Sequence, residues 1–259
     1  MKNPIYEYFR DKDEKVMTSY GKAGKVPLHF HRNLELHYIT SDNTRISVGN
    51  TTFTADRDDI VFVNNYTPHS LENDHEKYFI IIPPSYSSDL DKSLSKKTLP
   101  PHLADKEFNR TLLDIIKNLH SDKSLPSLVI KGYLDILIGS LLHHYETLPN
   151  ESPEDMDFVI RILRYIEEHS AEPLTLDILS QNFGYNKYYF SRLFNRSVGT
   201  NLSSYLGFVR LRTFMRLRKE HKNEKIARLA SMAGFDSLPT FYRTFTAVYN
   251  TSPKEYFGL

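Results

Sequence analysis

One stretch of this chain occurs twice. "LDILSQNFGYNKYYFSRLFNRSVGTNLSSYL", starting at Leu176, returns about 50 residues later as "IARLASMAGFDSLPTFYRTFTAVYNTSPKEYF", starting at Ile226. Leu176, Leu179, Gly184 and Tyr185 match Ile226, Leu229, Gly234 and Phe235 at an offset of 50. Phe190, Arg192, Phe194, Thr200 and Tyr205 match Phe241, Arg243, Phe245, Thr251 and Tyr256 at an offset of 51. Both copies contain F-x-R-x-F. A unit seen twice is one supersecondary motif used twice, and this narrows the fold of the C-terminal part more than any bulk property does.

Each copy has the grammar of a helix-turn-helix. A short amphipathic run ends at Gly184 or Gly234, where glycine tolerates the left-handed backbone that stops a helix. An aromatic follows, Tyr185 or Phe235, suited to the wedge between two helices. Asn186 or Asp236–Ser237 then offers an oxygen to cap the second helix. Pro239 falls in that helix's first turn, where a missing N–H costs little. In copy one, Phe190, Leu193 and Phe194 form the inward stripe, which turns Lys187, Tyr188, Ser191, Arg192 and Asn195 outward. In copy two, Phe241 and Phe245 face in, and Tyr242, Arg243 and Thr246 face out.

An ordinary αα-hairpin carries the same pattern, so charge has to separate the readings. Residues 183–259 hold 13 Lys+Arg against 4 Asp+Glu, a balance of +9 in a chain whose net charge is +1. Residues 1–153 hold 18 against 21. A basic C-terminal third on a neutral chain points to a polyanion, and an exposed helix bearing Arg and Asn fits the major groove of DNA. Between the copies, residues 202–219 contain no proline and predict one long helix carrying Arg210, Arg212, Arg216, Arg218 and Lys219. Eighteen residues span about 27 Å, comparable to the ~34 Å repeat of major-groove faces on one side of a duplex.

The N-terminal part reads differently. Residues 26–82 contain short β-branched and aromatic runs ("LELHYIT", "TRISVGN", "TTFTA", "DIVFVNN", "KYFIIIP") punctuated by Asn, Asp and Gly, which predict an antiparallel sandwich or barrel. A Pro- and Ser-rich connection, residues 83–101, follows. Phe108, Leu112, Ile115, Ile116 and Leu119 then keep helical spacing, as do Leu128, Tyr133, Leu134, Leu137, Ile138, Leu141, Leu142 and Tyr145. So apolar a helical pair is expected to serve partly as core and partly as a surface for a second subunit. A polar segment with two prolines precedes a further helix marked by Val159, Ile162, Leu163 and Ile166. The chain thus divides into residues 1–90, a strand-rich domain; 91–148, a helical segment suited to dimerisation; 149–156, a linker; and 157–259, the double helix-turn-helix.

Composition excludes several classes. With no cysteine, disulfides, thiolate metal sites and cysteine nucleophiles are ruled out. No apolar run is long enough to span a membrane, the first 15 residues are charged, and a cytoplasmic location is expected. There is no P-loop, no G-x-S-x-G and no dinucleotide fingerprint, and no catalytic residue is assigned.

The C-terminal residues resemble the AraC/XylS family of transcription regulators. The likeness runs from about 158 to 258 and is carried by "GYNKYYFSRLFNRSVGTNLSSYLGFVRLR" and "AGFDSLPTFYRTFTAVYNTSPKEYF". Four positions depart from the family pattern. Phe214 stands where a small residue is usual, Thr246 where Lys or Arg is, and Asn250 where glycine is. Leu238 and Pro239 replace a polar helix start. The second reading helix therefore has fewer donors, and the first is expected to dominate sequence reading. "LHFHRNLELHYI" followed by "DDIVFVNNYTPHSLEN" resembles the family's cupin-like sensor domain, less specifically. The resemblance implies an α+β chain of two domains. A cupin-like β-barrel with a helical dimerisation pair precedes an all-α domain whose two helix-turn-helix motifs are joined by a long linker helix. The implied partners are double-stranded DNA, a small effector such as a sugar or related metabolite, and a second copy; contact with RNA polymerase is left open, and no membrane is implied. Residues expected on DNA are Asn186, Lys187, Tyr188, Ser191, Arg192, Asn195, Arg196, Arg210, Arg216, Ser237, Tyr242, Arg243 and Thr246.

The stretch "HFHRNLELH", residues 29–37, raises a separate question. Alternation along a strand puts His29 and His31 on one face and Glu35 and His37 on one face, and His69 can reach them from a neighbouring strand. His29, His31, Glu35 and His69 resemble the ligand set of metal-binding cupins, so a metal-dependent cupin enzyme with a helical appendage is the alternative. Two points weigh against it. Regulators of the family commonly show these histidines without a metal, as the resemblance implies, and "DRDDIVFVNNYTPHS" lacks the glycine of metal-binding motifs. Such side chains also suit a polyhydroxylated ligand. His29, His31, Glu35 and His69 are therefore expected to contact the effector, with no metal and no cofactor; His37 is expected to be a strand residue only.

Overall fold

The computed structural model describes residues 4–7, 10, 14–87, 97–149 and 154–258. Residues 88–96 of the expected connection at 83–101 and residues 150–153 of the expected linker at 149–156 lie outside the described residues. The chain forms two compact units, Met1–Ser152 and Pro153–Leu259.

The first unit is built on two five-stranded sheets. One has the order β1 (Ile5–Tyr6), β3 (Val26–Phe30), β8 (His69–Leu71), β5 (Thr44–Val48), β6 (Thr51–Ala55). The other has the order β11 (His102–Leu103), β7 (Ile60–Val63), β4 (Leu34–Ile39), β9 (His75–Ile82), β2 (Met17–Ala23). Apart from the short parallel β1–β3 pair, all pairings in them are antiparallel. Strands β5 and β6 are joined through Gly49 at φ +58, the glycine that a two-residue hairpin needs at its first turn position. A further pair, β10 (Lys97–Thr98) with β12 (Leu148–Pro149), joins the segments flanking the helices.

Strand β4 is central and buried along its whole length. Its two faces meet different layers. Leu34, Leu36 and Tyr38 join Ile60, Phe62, Ile80 and Ile82 in a core covered by α1 (Lys106–Thr111), α2 (Leu113–Ser121) and α3 (Ser127–His144). Ile39 on the other face packs with Val61 and Val63 against Ile46, Val48 and Leu71 of the opposite sheet. The helical stretch marked by Phe108 to Leu119 breaks at Leu112, which closes α1 and opens α2. The buried Asn109 fixes that break, donating to the carbonyls of Asp58 (2.9 Å) and Leu103 (2.8 Å) and accepting from the Tyr145 hydroxyl (2.9 Å). Most of the apolar surplus is core: Leu112, Ile116, Leu119, Leu134, Leu137, Ile138 and Leu141 are buried. On α3, Leu128 and Ile136 remain exposed at 81% and 56%.

The second unit is helical: α4 (Glu154–His169), α5 (Leu176–Asn182), α6 (Lys187–Val198), α7 (Leu202–Glu220), α8 (Ile226–Met232), α9 (Leu238–Tyr249) and α10 (Pro253–Phe257). The repeat appears as α5–α6 and α8–α9. Gly184 and Gly234 take φ +72 and +93 after the first helix of each pair. Asn186 caps α6 by accepting from Tyr188 N, and Ser237 caps α9 by accepting from Thr240 N. Both second helices end on a left-handed residue, Gly199 (φ 74) and Asn250 (φ 55). Asparagine, the residue that best tolerates this conformation after glycine, explains that departure from the family pattern.

Phe214 is the other departure the packing explains. It is fully buried, 4.6 Å from Phe241 and within 6.4 Å of Phe245 and Phe257, ring centre to ring centre. The linker helix runs Leu202–Glu220, close to the expected range, and the side chain of Asn201 caps its start.

Candidate functional site

The interior of the strand-rich unit holds charge where a core would be apolar. His29 ends near the bottom of β3, His31 follows that strand, and His69 opens β8, paired with His29 in register. Glu35 and His37 point inward from β4, and Lys77 from the adjacent β9. All are at least nine-tenths buried. The expected four residues are therefore brought together: His31 Nε2 lies 2.7 Å and His69 Nε2 3.6 Å from Glu35 Oε2. The His29 and His69 ring centres are 4.1 Å apart, and Nε2 of His29 lies 3.5 Å from Glu7 Oε2.

The expectation for His37 is corrected. It links two charged groups, because Lys77 Nζ donates to its Nδ1 (2.7 Å) and its Nε2 donates to Glu35 Oε1 (2.5 Å). The alternation of β4 puts His37 on Glu35's face, and the tertiary pairing with β9 supplies Lys77. Burial and the Lys77 charge pull the His37 imidazole down to about 3, so the ring is neutral and relays one hydrogen bond to the next. Burial also pulls Lys77 down to about 8, against the attraction of Glu35. For Glu35, burial alone would raise the carboxyl, but His37, with His31 and His69 close by, outweighs it and holds it well below the usual carboxylate range. His29 is pulled down to about 3 by burial and by His69.

A cavity of about 240 Å³ opens beside this cluster, lined among others by Arg10, Tyr20, His29, Glu35, His75 and Lys77. Sequence reasoning missed Lys77, His75 and Arg10. Lys77 stands in "HEKYFIII", where it reads as the polar start of a strand, and only the sheet order aims it inward.

In the helical unit the residues expected on DNA divide into two groups. Tyr188 (79% exposed), Arg192, Asn195 and Arg196 on α6, and Tyr242, Arg243 and Thr246 on α9, face solvent, and Ser191 is half-buried. Others are committed elsewhere. Arg210 is corrected outright: it is buried, donating through Nε to Ser170 O (2.8 Å) and through Nη2 to Glu172 O (2.9 Å), with Asp236 at 3.5 Å. It joins the end of α4 to the turn of the second helix pair and has no surface left for phosphate. Asn186 and Ser237 use their side-chain oxygens as caps. Lys187 pairs with Asp177 at 2.7 Å, and Arg216 lies 3.5 Å from Glu220 while remaining exposed. Arg212 is buried against Glu167.

Two family models match the chain: an AraC-like ligand binding domain over residues 21–134 and a helix-turn-helix domain over residues 179–258. The multiple antibiotic resistance protein MarA of Salmonella typhimurium is 34% identical over 95 residues, which cover 37% of this chain and 74% of that protein. The chain belongs to the AraC/XylS family. An uncharacterized HTH-type transcriptional regulator of Staphylococcus aureus is 27% identical over 167 residues, 58% of this chain. The chain covers only 22% of that relative's length. Among solved structures, ToxT from Vibrio cholerae O395 aligns over 95% of this chain and 98% of its own, at 13% identity and a TM-score of 0.41. Among the described residues, no helix of this AraC/XylS chain is long and apolar enough to cross a membrane.

Proposed function

We propose that this AraC/XylS chain is a sequence-specific DNA-binding transcription regulator, working in the cytoplasm and modulated by a small effector in the N-terminal cavity. The observation that carries the reading is the pair of capped helices α6 and α9. Each has a buried Phe-x-x-x-Phe stripe and an outward Arg, at Arg192 and Arg243. Arg192 and Asn195 on α6 suit guanine and adenine edges, while Arg196 and Arg216 suit phosphates. Helix α9 offers Tyr242, Arg243 and Thr246, a poorer donor set, so α6 dominates reading and α9 adds position and affinity. Scrambling the operator under each helix in turn tests this; equal losses would remove the asymmetry.

The cavity supports a polar effector of modest size, such as a sugar or related metabolite, held by His29, His31, Glu35 and His69 with Lys77 and His75 added. Exposed Leu128 and Ile136 on α3 support a second copy as partner. Effector binding then shifts the population between dimer geometries that present the helical units differently. The Staphylococcus aureus relative is described as a transcriptional regulator, which favours this reading over a metal-dependent enzyme.

A genomic footprint with purified protein tests the assignment, and neighbouring genes point to the metabolite class. Each phosphate contact costs about 3.5-fold in duplex affinity between about 50 and 200 mM salt, so Arg196 and Arg216 alone give a loss of roughly tenfold. A flat salt response would sink the DNA reading.

A further inference from the structure

The protons of the histidine cluster do not balance. Nδ1 of His29 lies 2.8 Å from Pro27 O, Nδ1 of His31 3.1 Å from Asn33 O, and Nδ1 of His69 2.9 Å from Thr67 O. A carbonyl oxygen only accepts, so each Nδ1 carries a hydrogen and each neutral ring turns an Nε2 lone pair inward. The lone pairs of His31 and His69 meet Glu35, which already accepts from His37, and that of His29 lies 3.5 Å from Glu7 Oε2. A lone pair 2.7 Å from a carboxylate oxygen, as at His31 and Glu35, is repulsive unless a cation lies between them. Nε2 of His69 is likewise turned inward and is buried without a hydrogen-bond partner. A single cation touching all of them resolves every contact at once.

We propose that Nε2 of His29, His31 and His69, together with one oxygen of Glu35, hold a divalent first-row transition-metal ion. One donor atom from each histidine lies within 4.8 Å of those from the other two, all three rings are buried, and closing on an ion needs a contraction on the order of 1 Å. The Nδ1–carbonyl bonds are the outer contacts that orient histidine ligands and fix their tautomer. A donor set of imidazole and carboxylate without thiolate suits manganese, iron, cobalt, nickel or zinc. The Lys77–His37 relay holds the second Glu35 oxygen, leaving the first to face the ion. His29 and Glu35 also line the cavity, so the ion forms part of its floor. An effector with a hydroxyl or carboxylate oxygen could then coordinate it; that last step rests on the effector reading, whereas metal binding does not.

The test uses tag-free full-length protein, stripped with chelator and titrated with zinc or manganese chloride. Bound metal is counted after desalting, and the melting temperature is followed in parallel. The expected result is one ion per chain and a raised melting temperature. His69→Ala and Glu35→Gln should each weaken binding at least about tenfold, with the melting temperature of the stripped protein showing that each variant folds. His144→Ala removes a histidine of α3 that pairs with Asp105, away from the cluster, and should retain the ion. Substoichiometric metal in the parent chain, or equal retention by His69→Ala, overturns the proposal. Stoichiometric metal without a DNA footprint supports the ion and overturns the regulator reading; a footprint without metal does the reverse.

Discussion

The two turn glycines occupy equivalent places in the repeat, yet they should respond very differently to the same change. Replacing either with alanine asks a β-carbon to accept a positive φ, which costs about 1–2 kcal/mol. At Gly184 that is the whole cost, because a β-carbon there meets nothing within 4 Å. At Gly234 it would lie 2.6 Å from Ser170 O, 2.7 Å from Ala171 Cα and 3.0 Å from Arg210 Nε. Two of these are backbone atoms at the end of α4, and the third belongs to the arginine that clasps that end. None of them can move without breaking the Arg210 bonds to Ser170 and Glu172. Overpacking of this kind adds about 1–3 kcal/mol. Gly184→Ala should therefore cost about 1–2 kcal/mol and Gly234→Ala about 2–5 kcal/mol. For a unit of this size, 1 kcal/mol lowers the melting temperature by roughly 4–8 °C. Far-UV circular dichroism, which the helical unit dominates, reads the difference directly. Equal losses for the two variants would refute the claim that the Gly234 turn is closed against the end of α4 while the Gly184 turn is open.

Three further outcomes follow from the packing and charges. Phe214→Ala empties a fully buried site among three phenylalanines and should cost about 3–5 kcal/mol of helical-unit stability, measured by urea unfolding. Among the arginines, Arg192→Ala should cost about 1–3 kcal/mol of operator affinity and relax specificity at one position. Arg196→Ala should weaken all sequences alike and lower the salt slope by about 1, whereas Arg210→Met should destabilise the fold. Quantitative binding across salt concentrations, alongside melting curves, separates the three. Lys77 gives a pH signature. Its folded value near 8 lies below the ordinary 10.5, so the unfolded chain binds more protons between those values. The stability of the first unit should rise with pH through that window, by a few kcal/mol at most. Urea midpoints at pH 8, 9 and 10 in chelator should rise for the parent chain and lack that slope in Lys77→Met.

The sequence by itself determined the features that depend on neighbouring residues. The glycine stops at Gly184 and Gly234, the caps at Asn186 and Ser237, the inward Phe190–Phe194 and Phe241–Phe245 stripes and the long linker helix all follow from contiguous residues, because helix periodicity and capping are local. Strands β4 to β7 and β9 were legible for the same reason. Strand β2 was not: its "MTSYGKA" is an edge strand, mostly exposed, and it lacks the apolar alternation that marks a buried face. Tertiary structure alone decided which charges are free and which are consumed. Arg210 reads as one of five cationic residues on a helix, and only packing against Ser170, 40 positions away, removes it from the surface. The histidine cluster shows the same division. "HFHRNLELH" announced its donors, and the carbonyls of Pro27, Asn33 and Thr67 lie two residues from the histidines they orient, but His69 and Lys77 arrive from β8 and β9. Whether a buried group is satisfied depends on every atom around it, and in this fold the decisive neighbours of Glu35 and His37 come from strands that are remote in the chain.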